Sequence, residues 1–219
     1  MPARNSLKIQ LPNTFYHVYN RGVEKRKIFL DKQDYSVFLS YLKTYLEPKD
    51  EKELLKIFAS PQSSWKEKDH ADKELRLKNY FRQLELVCYA LMPNHFHFLI
   101  RQIDPSLNFF MSSLGTRYGM YFNKKYKRDG SLFQDVYKAV SVESEEQLLH
   151  LSRYIHLNPK SRPLPSSLPD YLGERNTGWI KKYHILDYFS KTNPENSYAN
   201  FLSMSKNDSF IAKLMLDEN

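Results

Sequence analysis

Two histidines separated by a single residue, His95 and His97, lie within the apolar run YALMPNHFHFLI at residues 89–100. Two imidazoles at this spacing on a strand are neighbours in space, and they can bind one divalent metal ion if a further ligand completes the site. A second candidate is Tyr154, whose phenol becomes a useful nucleophile only when a base or a metal-polarised electrophile compensates for its high pKa. The alternative interpretation is a pair of surface histidines and a packing tyrosine.

The strand that carries the histidines has two different faces. Side chains alternate across a strand, so His95 and His97 share one face, while Phe96 and Phe98 share the other. We expect the phenylalanine face to build the core. Because the helices of a two-layer sandwich cover only one side of the sheet, we expect the histidine face to be open to solvent or a ligand.

The segment SEEQLLHLSRYIHLNP predicts the helix that carries the tyrosine, capped by Ser144 and ended by Pro159. Helical spacing separates a polar stripe from an apolar stripe. The polar stripe holds Gln147, His150, Tyr154 and Asn158, and the apolar stripe, expected to pack inward, holds Leu148, Leu151 and Ile155. We expect His150 and His156, which flank the tyrosine, to be ordinary histidines of the helix surface.

The order of elements predicts the fold that positions these residues. Strands are predicted in FYHVYN, LELVCYALMP, HFHFLIRQ and SLFQDVYKAVSV, with further helices in DKQDYSVFLSYLKTYL and LNFFMSSLGTRYGMYFNKKYKRDG. The order β, α, β, β, α, β, α predicts an α+β fold, a ferredoxin-like two-layer sandwich with an antiparallel sheet, helices on one face and a C-terminal helical extension. We divide the chain into a domain at 1–172, with a charged insertion at about 48–82 that holds one or two short helices, and an extension at 173–219.

Composition restricts the class of protein. The chain has 219 residues, a formal net charge of +8 and one cysteine, which cannot form an internal disulfide. No apolar stretch approaches the roughly 20 residues that span a bilayer, and the N-terminus MPARNSLKIQLPNTF has no secretory apolar core. We therefore expect a soluble cytoplasmic protein with no membrane partner. The positive charge suits a polyanion such as nucleic acid.

Several motifs carry a family resemblance. MPNHFHFLI resembles the His-hydrophobic-His signature of the HUH single-strand DNA endonucleases, and SRYIHLNP resembles the tyrosine helix of their single-tyrosine transposase branch. Together with FYHVYNRG, YFNKKYKRDGSLFQ and SSLPDYLG, these motifs resemble the REP-associated tyrosine transposases from about Phe15 to Leu172, in the same order.

The resemblance implies a mechanism and a set of site residues. His95 and His97 would bind Mg²⁺ or Mn²⁺, and Tyr154 would attack a backbone phosphate. Asn158 stands where the family often supplies a third ligand, although that ligand is commonly Gln or His. The implied enzyme cleaves and rejoins single-stranded DNA through a 5′-phosphotyrosine, acts on hairpin-forming repeats in a bacterial cytoplasm, and works as a monomer or a homodimer.

Candidate DNA contacts lie on the first strand and at the end of a helix. His17 and Arg21 share a strand face beside the histidine strand, where they could contact the phosphate backbone. A basic cluster interleaved with aromatic rings suits single strands and hairpins. This cluster holds Lys124, Lys125, Lys127 and Arg128. Its alternative interpretation is a solvated helix end favoured by the helix dipole. Tyr118 and Tyr121 on the same helix are expected to pack or to stack on DNA.

Two other classes of function fit the same residues. A ferredoxin-like sheet with a basic, aromatic face is also the plan of a non-catalytic nucleic-acid-binding protein. A metal-dependent hydrolase could use the same histidines with a bound water as nucleophile.

Overall fold

The computed structural model describes residues 11–159 and 164–204. At its centre is a four-stranded sheet built from β1 (Thr14–Arg21), β2 (Leu84–Met92), β3 (His95–Gln102) and β4 (Lys138–Ser141). The strand order is β2-β3-β1-β4, and each neighbouring pair is antiparallel. The order of elements along the chain and this pairing confirm the predicted α+β, ferredoxin-like fold.

Helices of very different length surround the sheet. Within the described residues they are α1 (Lys32–Leu46), α2 (Glu51–Ala59), α3 (Trp65–Arg76), α4 (Leu107–Tyr126), α5 (Glu145–Leu157), α6 (Leu168–Tyr171), α7 (Tyr183–Leu186) and α8 (Tyr198–Ser203). None of these helices has the combination of length and apolar character that a membrane span requires.

The phenylalanine face of β3 is the core face, as predicted. The ring of Phe38 on α1 lies with its centroid 5.5 Å from that of Phe96 and 6.2 Å from that of Phe98. Tyr118 on α4 meets Phe38 edge-on at 4.9 Å, and its hydroxyl donates a 2.6 Å hydrogen bond to the Ile28 carbonyl. Tyr118 is therefore a packing residue, and its burial raises the pKa of its phenol.

The predicted short helices of the charged segment are present as α2 and α3, whereas its status as an insertion stays a prediction. Asp50 caps α2, and Ser64 caps α3 with a reciprocal bond between its amide and Glu67. Within these two helices, Ala71 is the buried residue. Most of their surface faces solvent, so the insertion adds little to the core.

The turn between β2 and β3 is joined to the end of β1. Pro93 and Asn94 form the turn, and the Gly22 amide donates a 2.8 Å hydrogen bond to the Asn94 carbonyl. A Cβ on Gly22 would lie 2.2 Å from the Arg26 carbonyl oxygen, so only glycine fits at this close approach. The contact brings the last residue of β1 beside the first residue of β3.

The prediction that the histidine face is open is wrong. His97 is only 1% exposed and His17 is fully buried, and Tyr154 of α5 lies against both rings. The apolar stripe of α5 is buried as expected, at Leu148, Leu151 and Ile155. A helix with such a stripe must bury it, and the phenylalanine face is already occupied by α1 and α4.

The outer edge of β2 is covered by the later chain. The amide of Leu91 donates to the Pro165 carbonyl, and the amide of Ser167 donates to the Tyr89 carbonyl. Further along the strand, the Lys181 amide donates to the Leu86 carbonyl at 2.9 Å. These bonds occupy polar groups that an edge strand otherwise leaves exposed for pairing. The predicted boundary between a domain and an extension at residue 172 stays a prediction.

Candidate active site

The two histidines of β3 lie in a row with residues of β1. In the antiparallel register, Arg21 is directly opposite His95 and Tyr19 is directly opposite His97. Residues directly opposite each other in a sheet point to the same face, with their Cβ atoms about 5 Å apart. His17 lies two residues before Tyr19 and therefore shares this face.

Tyr154 of α5 reaches this row of side chains. Its ring centroid lies 5.6 Å from that of His97 and 6.4 Å from that of His17, with both contacts edge-on. The rings of His95 and His97 are 5.1 Å apart and perpendicular. The structure thus brings together the two histidines and the tyrosine that were singled out from the sequence, and it does so within one chain.

The helix that carries Tyr154 is capped at its start and anchored along its buried side. Its cap is Ser144, whose hydroxyl accepts a hydrogen bond from the Gln147 amide. On the buried side, His156 Nδ1 is 2.7 Å from the Tyr198 hydroxyl and His156 Nε2 is 2.8 Å from the Ser167 hydroxyl. The helix that holds the Tyr154 ring against the sheet is therefore joined, through His156, to two residues of the later chain.

His156 is not the surface histidine that we predicted. It is 3% exposed, and burial lowers the pKa of its imidazole to about 3. His150 is half-buried, with its ring 5.5 Å from that of Phe201, and burial also lowers its pKa. The apolar character of the neighbouring segment 185–202, which packs here, could have suggested this burial.

His17 does not have the role that was predicted for it. A fully buried imidazole cannot contact a phosphate backbone while the strand keeps its fold. Instead, His17 Nε2 lies 2.8 Å from His97 Nδ1, and the two rings stack with centroids 5.0 Å apart. The sequence did place His17 beside the histidine strand, and its apolar flanks in FYHVYN were a signal of burial.

Arg21 lies at the solvent side of the same row. Its Nε donates a hydrogen bond to the side-chain oxygen of Gln134, and the backbone amide of Gln134 donates to the Arg21 carbonyl. The guanidinium is half-buried at the end of β1, next to His95 in the paired strand. Its predicted contact with a phosphate backbone stays a prediction.

The basic cluster at the end of α4 divides into two groups. Lys125 Nζ lies 2.7 Å from Asp31 and 2.8 Å from Asp34, so its charge neutralises the carboxylates that cap α1. Arg128 donates to the Asn123 side chain. Lys124 and Lys127 are exposed. Exposed lysines can neutralise phosphates, whereas Lys125 is already engaged inside the protein.

The other tyrosines of α4 belong to this carboxylate network. The hydroxyls of Tyr121 and Tyr126 donate hydrogen bonds to the carboxylate of Asp34, at 3.0 Å and 2.8 Å. Asp34 itself is fully buried. Both tyrosines join α4 to the start of α1, which agrees with a packing role for Tyr121.

The residues around the histidine pair fit a divalent cation. His95 Nδ1 donates a 2.7 Å hydrogen bond to Asn94 Oδ1, and the Asn94 amide nitrogen donates to the Lys25 carbonyl. With Nδ1 protonated, the lone pair of His95 is on Nε2, the atom that can bind metal. Asn158 continues the helical conformation one turn beyond Tyr154 and carries an amide oxygen, which Mg²⁺ and Mn²⁺ accept as a ligand.

The donor set is not a closed protein cage. Within residues 11–159 and 164–204, no three His, Cys, Asp or Glu side chains come together as a metal site. Two imidazoles and one amide would leave coordination positions for phosphate oxygens or water, as in sites where a metal meets its substrate.

The fold and the site together define an α+β protein with a paired-histidine and tyrosine centre on one face of its sheet. The model of the family described as transposase IS200-like matches residues 43–158, which is more than half of the chain. The chain belongs to this family and is a transposase, a protein that acts on DNA. The matched region contains His95, His97, Tyr154 and Asn158, and the match confirms the family resemblance seen in the sequence.

The solved structures that are similar to the chain include the following two. One is a REP-associated tyrosine transposase bound to a REP hairpin, with 11% identity and a TM-score of 0.47 over 80% of this chain and 95% of that chain. The other is a candidate transposase from Deinococcus radiodurans R1, with 14% identity and a TM-score of 0.37 over 69% and 95% of the two chains. No curated protein matches. Because both TM-scores are below 0.5, the assignment rests on the family match.

Proposed function

We propose that this transposase is a metal-dependent endonuclease that cuts and rejoins single-stranded DNA, with Tyr154 as its nucleophile. The observation that carries the proposal is the position of the Tyr154 ring, 5.6 Å from that of His97, on a helix of the same chain. The net charge of +8 supports binding to a polyanion. The resemblance to REP-associated transposases supports a substrate with hairpins.

The proposed reaction conserves the phosphodiester. Tyr154 Oη attacks the phosphorus and loses its proton, the bond from phosphorus to the 3′ oxygen breaks, and that oxygen takes up a proton as it leaves. The product is a 5′-phosphotyrosine and a 3′ hydroxyl. Attack by a 3′ hydroxyl on the phosphotyrosine reverses the step, so strands can be joined without a nucleotide cofactor.

The chain supplies the geometry of this reaction. His95, His97 and Asn158 would hold Mg²⁺ or Mn²⁺, which when bound offsets the negative charge that develops on the phosphate. The anchored helix α5 keeps the phenol of Tyr154 beside the histidines. A phosphate bound there would already be close to its nucleophile, which lowers the entropic cost of the attack. Arg21 and the exposed Lys124 and Lys127 are the proposed contacts to the DNA backbone.

Detection of the covalent intermediate tests the proposal. The full chain is incubated with a panel of hairpin-bearing single strands and Mn²⁺, and a denaturing gel is inspected for protein shifted by attached DNA. We expect a metal-dependent adduct in the wild type and none in Tyr154→Phe. Tyr121→Phe is the matched control, because it also removes one phenolic hydroxyl but lies in the α4 network, and it should still form the adduct.

The other classes of function give different results. Cleavage that persists in Tyr154→Phe without an adduct would indicate a hydrolase that uses water as its nucleophile. DNA binding with neither cleavage nor adduct across the panel would indicate a non-catalytic binding protein. Either result contradicts the tyrosine mechanism.

A further inference from the structure

A hydrogen bond between two buried histidines links β1 to the proposed metal centre. His17 is fully buried, and its Nε2 lies 2.8 Å from His97 Nδ1. The residues are 80 positions apart in the chain, and the contact crosses from one central strand to the next. His17 lies outside the region matched by the family model, which begins at residue 43.

The chemistry of this contact allows one proton between the two nitrogens. If His97 Nδ1 donates to His17 Nε2, the lone pair of His97 is on Nε2, and His17 carries its own proton on Nδ1. If the donor is His17 Nε2 instead, neutral His97 carries its proton on Nε2 and cannot bind a metal through that atom. The choice between these two arrangements therefore decides whether His97 can act as a ligand.

The surroundings of His17 are apolar and aromatic. Its ring stacks on Tyr19 with centroids 4.8 Å apart, and Tyr154 approaches edge-on. In the sheet it lies opposite Leu99 on one side and Val140 on the other. The hydrogen bond between His17 and His97 therefore lies in a buried and largely aromatic part of the sheet.

The two histidines of β3 use acceptors of different origin. His95 donates from Nδ1 to the side-chain oxygen of Asn94, which is fixed by the turn between β2 and β3. The corresponding atom of His97 faces His17 of β1. Acceptors that hold the second nitrogen of a metal-binding histidine fix its tautomer and ring orientation.

We infer that His17 is a positioning residue for His97. It accepts a hydrogen bond from His97 Nδ1 and so presents His97 Nε2 to the cation. The inference rests on the proposed metal centre and adds to it a residue that touches neither metal nor DNA. It gives a role to the imidazole of His17, which is fully buried on β1 and lies beside Tyr154.

Substitutions that differ in their acceptor test the inference. His17→Leu removes the acceptor with little change in volume, and His17→Gln places an amide oxygen close to the position of Nε2. Mn²⁺ binding to the full chain is measured by electron paramagnetic resonance. We expect about a 10- to 100-fold loss of affinity in His17→Leu, as for other lost outer-shell partners. His17→Gln should restore most of the affinity.

A second measurement reads the tautomer without metal. Nitrogen-15 spectra of the metal-free protein distinguish Nδ1–H from Nε2–H imidazoles, and the His97 signals are identified by their loss in His97→Gln. We expect His97 to be protonated on Nδ1 in the wild type and in His17→Gln. In His17→Leu the Nε2–H form should appear. If His17→Leu does not fold, His17→Asn serves instead, because its side chain is polar but too short to reach.

Val140→Ala is the packing control, since Val140 lies directly opposite His17 in β4 but offers no side-chain acceptor. Its Mn²⁺ affinity should equal that of the wild type. Unchanged affinity and tautomer in His17→Leu would overturn the inference while leaving the metal centre in place, as would an equal loss of affinity in Val140→Ala. A wild-type protein that binds no Mn²⁺ would overturn the metal centre itself, and the inference with it.

Discussion

The two faces of the central sheet differ in composition: one builds the apolar core, and the other holds the proposed active site. On one face, Phe96 and Phe98 are buried against Phe38 of α1, and the contact is wholly apolar. On the other face, His97 is almost equally buried, yet it lies among imidazoles and the ring of Tyr154. The same strand supplies both faces through simple alternation.

The difference shows how a buried polar face can be tolerated. Burying a phenylalanine contributes about 1.5–3 kcal/mol, whereas a typical buried hydrogen bond contributes a net of about 1 kcal/mol. The buried phenylalanines therefore provide most of the stability of β3, including that of its histidine face. The histidine face contributes less to stability and holds the rings of His17, His97 and Tyr154 in one arrangement. Helix α5, which is anchored through His156, covers this face.

The largest expected effect on stability comes from truncating the phenylalanine face. Phe98→Ala removes a fully buried ring and should lower the free energy of unfolding by about 3–5 kcal/mol, measured by urea denaturation. The folded fraction should retain its affinity for Mn²⁺. His97→Ala, one residue earlier, should lower stability less but remove Mn²⁺ binding. Loss of Mn²⁺ binding in folded Phe98→Ala would show that the two faces are not separable.

An intermediate effect is expected from pH, through the helix that closes the histidine face. The folded-state pKa of His156 is about 3, lowered first by burial and partly offset by Asp170, against about 6.5 in the unfolded chain. The unfolded state therefore binds the proton first. The free energy of unfolding therefore has its full value above about pH 6.5. It falls by about 1.4 kcal/mol per pH unit as the pH drops towards 3.

His156→Gln is the variant that isolates this effect, because it keeps polar contacts but does not titrate. Urea unfolding at pH 7.5 and pH 5 should show a loss of about 2 kcal/mol in the wild type that is missing in the variant. Equal pH dependence in both proteins would mean that other groups dominate this range.

The smallest expected effect concerns the exposed end of α4. Removing Lys124 and Lys127 together should weaken hairpin binding only a few-fold and reduce the slope of log affinity against log salt by about one to two. Stability should change little, since both side chains are exposed. Lys52→Ala with Lys66→Ala, two exposed lysines of the insertion, is the matched control. An unchanged salt slope would remove this helix end from the DNA interface.

Local sequence patterns were sufficient to predict which residues share a face of a strand or a helix. Alternation separated the histidines from the phenylalanines, and helical spacing separated Tyr154 from Leu151 and Ile155. The turn residues Pro93 and Asn94 marked the hairpin. Each of these inferences depends on residues close together in the chain, and the structure agrees with them.

Contacts between distant segments could not be read in this way. His17 and His97 are 80 residues apart, and His156 meets Tyr198 at a separation of 42. Periodicity shows which face of an element is apolar, but it does not show which later segment will cover it. The closure of the histidine face was missed for this reason.

The cover over the edge of β2 has a consequence for dissecting the protein. The region that matches the family ends at residue 158, but Ser167 and Lys181 bond to β2, and Ser167 also bonds to His156. Cutting the chain after residue 158 would keep every proposed catalytic and metal-binding residue, yet it would expose the edge of β2 and remove the partners of His156 that anchor the tyrosine helix. The hydrogen bonds that hold the sheet and the tyrosine helix together therefore extend beyond the region that the family model matches.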